Sequence, residues 1–185
     1  MSSEAVFGDA DVALARDDIT RFAADVIVNA ANTGLRGGGG VDGAIHAAAG
    51  PGVMAELRAR YAGCATGSAV ITGAGDLPAR WIVHAVGPIW RGGTAGEAEQ
   101  LASAYCTALD LAAGAGATSV AFPAISCGIY GYPLGPAAPV ALGAVRDWLS
   151  DHPRSGVTRI TFVLRSEDVL DAFEQALGRL ARQEE

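Results

Sequence analysis

Apolar and polar positions recur along this chain with two different periods, and the switches between them mark the elements. Residues 11–16 (DVALAR) alternate apolar and polar, which predicts a strand with one buried face. Asp17-Asp18-Ile19-Thr20 then reads as a turn carrying two acids and a capping side chain. Residues 25–30 (DVIVNA) are a short continuous apolar run, the pattern of a strand buried on both faces. Helical spacing predicts a helix over 41–49; Gly50-Pro51-Gly52 breaks it, and Pro51 can open a second helix over 52–61. Strands are predicted over 68–73, 80–86, 118–123 and 158–164. Between and after them, helical periodicity predicts helices over 95–113, 136–150 and 167–182. The last presents Leu170, Phe173, Leu177 and Leu180 on one face.

About six strands alternating with about five helices predict an α/β domain of three layers, with a mixed, mostly parallel sheet covered on both faces. One domain is expected over residues 1–185, since a chain of that length buries roughly 70% of its unfolded surface without staples. Ligands in such sheets bind at the carboxyl ends of the strands. Two glycine-rich loops leave such ends and precede helices. In the first, five of the seven residues in 37–43 are Gly, and four of them are consecutive. Gly loses the most backbone entropy on ordering, so such a run implies a backbone that must approach something closely. The helix N-terminus beside it, near Val41 and Asp42, turns unpaired N–H groups and positive dipole toward the same spot, which favours an anion. The second loop is 124–133 (AISCGIYGYP), and it can lie beside the first.

Composition narrows the chemistry. All thirteen basic residues are Arg and net charge is −7. Without Lys there is no Walker-type phosphate lysine and no Schiff-base lysine, so backbone N–H groups must do most of any anion binding. No basic block supports an extended nucleic-acid face. No apolar run reaches the ~20 residues of a membrane span. Acids rather than basic residues crowd the first twenty positions, so the protein is expected in the cytoplasm. The three Cys are far apart and form no metal-ligand pair, so no metal site is expected.

Gly38-Gly39-Gly40-Val41-Asp42-Gly43 matches GxGxxG, but the next 20 residues hold no strand-terminal acid for a nicotinamide ribose. A tight loop without a ligand is the plain alternative. Asn32 can be a turn residue bonding its own backbone, and Asp42 a helix N-cap. His84, inside an apolar strand, reads as a satisfied core histidine. His46 lies one turn after Asp42 and can orient it, or be a plain helix-surface residue. Cys127 has no His nearby in sequence and reads as a small loop residue rather than a nucleophile.

In order, the chain carries Asp18-Ile19-Thr20, VNAAN (28–32), GGGGVDGAIH (37–46), VGPIW (86–90) and FPAISCGIYGYP (122–133). Together these resemble the macrodomain family, and within it the MacroD-type hydrolases, whose signature of Asn, six residues and Gly-Gly-Val-Asp matches Asn32 to Asp42. The resemblance implies an ADP-ribose site without cofactor or metal. It implies that Asp18 accepts from the adenine amino group and that Ile19 adds a backbone contact. Gly39, Gly40 and Val41 would hold one phosphate. Ser126, Cys127, Gly128, Ile129 and Tyr130 would wrap the diphosphate, with Tyr130 against the distal ribose. Asn32 and Asp42 would be the catalytic pair there, Asn32 fixing ribose hydroxyls and Asp42 a water. Implied substrates are O-acetyl-ADP-ribose and proteins mono-ADP-ribosylated on Asp or Glu; ADP-ribosylated nucleic-acid ends stay open as a further partner. A carboxylate is a weak base near neutrality, so orientation is expected to contribute more than proton abstraction. Arg165 stands where the family often has an adenine-stacking Phe or Tyr; a guanidinium can also stack on a base. Cys127 replaces a common Thr or Ser. A non-catalytic ADP-ribose reader remains the alternative.

Overall fold

The computed structural model describes residues 3–183. Its strands are β1 (Glu4–Phe7), β2 (Ala10–Arg16), β3 (Val26–Ala30), β4 (Ala69–Gly73), β5 (Trp81–Ala85), β6 (Ser119–Phe122) and β7 (Arg159–Leu164). Its helices are α1 (Gly40–Ala49), α2 (Pro51–Arg60), α3 (Glu97–Gly114), α4 (Leu134–Asp151) and α5 (Glu167–Ala181). A short 3-10 turn, Ile19–Arg21, follows β2.

The seven strands form one sheet in the order β1-β2-β7-β6-β3-β5-β4. The five inner strands are parallel, and only the edges, β1 on β2 and β4 on β5, are antiparallel. The pattern predicts about six strands; the seventh is β1, whose four residues are too few to show a period. Strand alternation splits the interior into two layers. Val26, Val28, Val83, Ala85, Ile160 and Phe162 face α3, α4 and α5. Ile27, Ile82 and Val163 face α1 and α2 through Ile45, Val53 and Leu57. That is the three-layer α/β/α arrangement the periodicity implies.

Helix ends depart from the predicted ones for identifiable reasons. α4 begins at Leu134, two residues early, because Pro136 falls in its first turn, where a missing N–H costs nothing. Pro139 lies inside α4, which continues through it. α1 begins at Gly40 with Gly39 as N-cap, so Asp42 is a first-turn residue and not the cap. Its side chain is thereby released to point elsewhere.

One buried phenol ties the core to the second glycine loop. Tyr105 of α3 packs among Phe122 and Phe162, with ring centroids at 5.1 and 5.9 Å. Its hydroxyl accepts the Ile125 N–H at 3.0 Å and donates to the Pro123 carbonyl at 3.2 Å, where β6 runs into the loop. Tyr105→Phe leaves both main-chain groups buried and unpaired, so it should cost about 1–3 kcal/mol in urea unfolding. A variant as stable as the parent would show that water replaces the hydroxyl.

Candidate active-site cleft

β3 and β6 pair only at Val26↔Val120 and Ile27↔Ala121, whereas β3 and β5 stay paired to Ala30↔Ala85. Beyond Ile27 the two central strands therefore diverge. From β3 the chain leaves over one face into α1; from β6 it leaves over the other into α4. This is the switch point of an α/β sheet, where a crevice opens at the carboxyl ends. The cleft there has a volume of about 640 Å³, within the range of nucleotide-sized sites.

The cleft gathers nearly every residue singled out in the sequence: Ile19, Asn32, Gly39, Gly40, Val41, Asp42, Ser126, Cys127, Gly128, Ile129, Tyr130 and Arg165. Asp18 stands just outside the lining, as N-cap of the 3-10 turn that begins at Ile19. Its carboxylate accepts the Thr20 hydroxyl at 2.7 Å and the Thr20 N–H at 3.0 Å. Those two bonds, the hydroxyl first, hold its carboxyl below the usual range, and the charges of Arg165 and Arg21 add to the effect. Arg165 follows β7 directly and is exposed at the same end of the cleft.

The two glycine loops meet across the middle. The first intrahelical bond of α1 runs from Gly43 N–H to Gly39 C=O, so the N–H groups of Gly40, Val41 and Asp42 have no intrahelical acceptor. Gly40 has φ +60°, and a Cβ on Gly39 would lie 3.2 Å from Ile129 Cδ1. Ile129 itself is 77% exposed. An apolar side chain so exposed, reaching across from the other loop, roofs the gap. Beneath it Ser126 has φ +67°. It is buried, and its hydroxyl has no hydrogen-bond partner among the described residues. A left-handed non-glycine backbone and a stranded hydroxyl are each unfavourable, and such strain concentrates at ligand sites. The space is so tight that a Cβ on Gly87 would overlap Ser126 Oγ.

Asp42 forms the far end. It is only 7% exposed, and its Oδ1 accepts from Asn29 Nδ2 at 2.8 Å. His46 Nε2 lies 3.3 Å from the same oxygen, one helical turn away. Asn32 uses both ends of its amide on its own loop, donating to Gly37 C=O at 2.8 Å and accepting Arg36 N–H at 3.1 Å. A Cβ on Gly38 beside it would lie 3.5 Å from Asp42 Oδ2.

A family model described as "Macro domain" matches residues 28–141 of this chain. The chain belongs to the macrodomain family. It is 51% identical over 171 residues to a macro domain-containing protein of Listeria monocytogenes, covering 91% of this chain and 97% of that one. It is 50% identical over 163 residues to a protein of Escherichia coli named O-acetyl-ADP-ribose deacetylase, covering 86% and 91%. Among solved structures, an Oceanobacillus iheyensis macrodomain with ADP superposes with TM-score 0.91 at 38% identity, over 97% and 96% of the chains. A Trypanosoma brucei macrodomain in complex with ADP-ribose superposes at 0.83 with 41% identity, over 90% of this chain and 69% of that one.

The motifs assign no role to several residues around this macrodomain cleft. Asn29 is a polar side chain in an apolar strand, and that mismatch is its signal. Glu97, buried at the start of α3, accepts N–H groups from Arg91, Gly93 and Ala95 at 3.0, 2.7 and 2.6 Å. It folds the segment whose Trp90 N–H binds the Tyr130 carbonyl at 2.9 Å. Cys127 bears out its reading as a small loop residue: burial pushes its thiol up to about 12, so it holds no thiolate near neutrality. His84 is the satisfied core histidine expected, with a partner at each ring nitrogen.

Burial, with His46 nearby adding to it, drives the His84 imidazole down to about 4. An unfolded chain titrates this ring near its ordinary value of about 6.5. Between the two values the unfolded state binds the extra proton, so stability falls as pH drops from 6.5 toward 4 and is fully present above 6.5. The His84 contribution is about 3 kcal/mol across that window. Urea midpoints of the wild type should therefore drop more steeply on acidification than those of His84→Gln. Parallel curves would contradict the assignment.

Proposed function

We propose that this macrodomain binds ADP-ribose in the cleft and hydrolyses acyl esters of its distal ribose. Asp18 and Ile19 take the adenine, with Arg165 stacking on the base. The N–H groups at Gly39, Gly40 and Val41 hold one phosphate, and the loop from Ser126 to Tyr130 holds the diphosphate. Asn32 and Tyr130 frame the distal ribose. The observation that carries the reading is the Asp42 carboxylate, held at the cleft wall by Asn29 and His46, in the same first helical turn as the N–H groups that would bind phosphate. The names of the relatives, deacetylases of O-acetyl-ADP-ribose among them, support the same substrate class.

Neutral backbone donors suit a chain with no Lys and net charge −7, because fixed dipoles bind a dianion without a mobile cation. In the reaction a water bound between Asp42 and a phosphate oxygen adds to the acyl carbon. The acyl–oxygen bond then breaks; the ribose oxygen takes a proton and the acid departs. The rate comes mainly from holding the water in line, a proximity effect. O-acetyl-ADP-ribose and proteins mono-ADP-ribosylated on Asp or Glu present this ester.

Asp42→Ala should keep ADP-ribose affinity within about threefold while turnover falls by about 10²-fold or more. The assay measures ADP-ribose and acetate released from each substrate alongside thermal shifts with ADP-ribose and NAD. Wild-type-like release by the variant would sink the mechanism. A thermal shift by ADP-ribose with no release from the wild type would make the protein a reader, and a larger shift by NAD would favour a dinucleotide oxidoreductase.

Arg165→Ala should weaken ADP-ribose binding by about 1 kcal/mol in calorimetry, the size of a guanidinium–base stack. Unchanged affinity would remove Arg165 from the adenine site.

A further inference from the structure

Three neighbouring strands each contribute one polar side chain to the sheet face beneath α1. Asn29 of β3 stands opposite His84 of β5 in the parallel register. Thr72 of β4 lies on the same face, and all three are buried. Asn29 Nδ2 is 2.8 Å from Asp42 Oδ1 and 3.2 Å from His84 Nδ1. His84 Nε2 is 2.9 Å from Thr72 Oγ1, and that hydroxyl is 2.9 Å from the Gly73 carbonyl.

One arrangement of hydrogens satisfies all four contacts. The Gly73 carbonyl only accepts, so the Thr72 hydroxyl donates to it. Thr72 Oγ1 must then accept from His84, which makes the ring the neutral Nε2–H tautomer with Nδ1 as an acceptor. An acceptor at Nδ1 requires an N–H from Asn29, and the same amide nitrogen then gives its second hydrogen to Asp42. Asn29 Oδ1 has no hydrogen-bond partner among the described residues, so its oxygen does not fix the amide. Only the two N–H bonds oppose a 180° flip. The other His84 tautomer would point an N–H at the position Asn29 Nδ2 now occupies, which suits an oxygen there and favours that flip. Asn29 would then turn an oxygen toward a carboxylate, two acceptors face to face.

We infer that His84 and Thr72 are positioning residues for Asp42, locking the Asn29 amide so that it presents N–H to the Asp42 carboxylate. Burial, which keeps the imidazole neutral through the physiological range, keeps Nδ1 free to accept. The inference rests on the reading that Asp42 orients the hydrolytic water, and it adds the device that orients Asp42.

The test uses the whole chain, with Thr72→Val, Thr72→Ser and His84→Leu beside the wild type. Long-range ¹H–¹⁵N correlations report the His84 tautomer, and acetate release from O-acetyl-ADP-ribose at pH 7 reports kcat and KM. The wild type should show Nε2–H. Thr72→Val keeps the side-chain shape but removes the acceptor. It should populate the Nδ1–H form and lose about tenfold in kcat, with KM and ADP-ribose affinity within about twofold. Thr72→Ser should restore both the tautomer and kcat, a rescue that a loss of packing alone would not give. His84→Leu should lose at least as much kcat as Thr72→Val. An Nδ1–H ring in the wild type overturns the lock, and so does wild-type kcat in Thr72→Val or in folded His84→Leu. Should the wild type release no acetate, the hydrolase reading fails, and the tautomers of wild type and Thr72→Val still decide whether the lock exists.

Discussion

The short pairing of β3 with β6 is the constraint on which the rest depends. Two matched residue pairs bring these strands together at the sheet centre, and then they part. Their divergence sends one chain into α1 and the other toward α4. The two glycine loops end up facing each other across the gap they leave. Neither loop could form the cleft alone. Ile129 touches the first loop only because β6 is the neighbour of β3, and Tyr105 holds the root of the second loop against the same core. The aromatic cluster of Tyr105, Phe122 and Phe162 thus stabilises the fold and sets loop position through the same contacts.

The cleft divides its chemistry between main chain and side chain. Its middle is main chain: N–H groups of a helix start and a loop bent through a left-handed Ser126. Its far end is a side-chain carboxylate held from below by a row of buried polar groups. That row costs desolvation, which the hydrogen bonds from Asp42 through Asn29 and His84 to Thr72 offset. In the proposed reaction the first part binds and the second orients. A loss at Asp42 then acts on turnover, whereas a loss in either loop acts on binding.

Much of this was legible in the sequence. The parallel sheet followed from strands alternating with helices, and the Lys-free composition already pointed to backbone binding of an anion. The five motifs from Asp18 to Pro133 carry the family, and the cleft gathers nearly all the residues they single out. What escaped did so for physical reasons. β1 is four residues long at a sheet edge and has no period to read. Asp42 looks like a cap from its position, but the N-cap is Gly39, and the carboxylate turns inward to Asn29. Asn32 is both a loop staple and a cleft residue, a pair of roles that spacing cannot separate. The Asn29–His84–Thr72 row depends on strand register between β3, β5 and β4, which no local pattern specifies.

In the proposed site, neutral main-chain donors from the two loops, rather than cationic side chains, hold the diphosphate. Amide ¹H–¹⁵N shifts during titration with ADP-ribose test it most directly. The largest downfield amide-proton shifts should fall at Gly39, Gly40 and Val41 and at Gly128, Ile129 and Tyr130, saturating together with one affinity. Saturable binding that leaves those amides unmoved, with shifts confined to Arg165 and other arginine side chains, would contradict it.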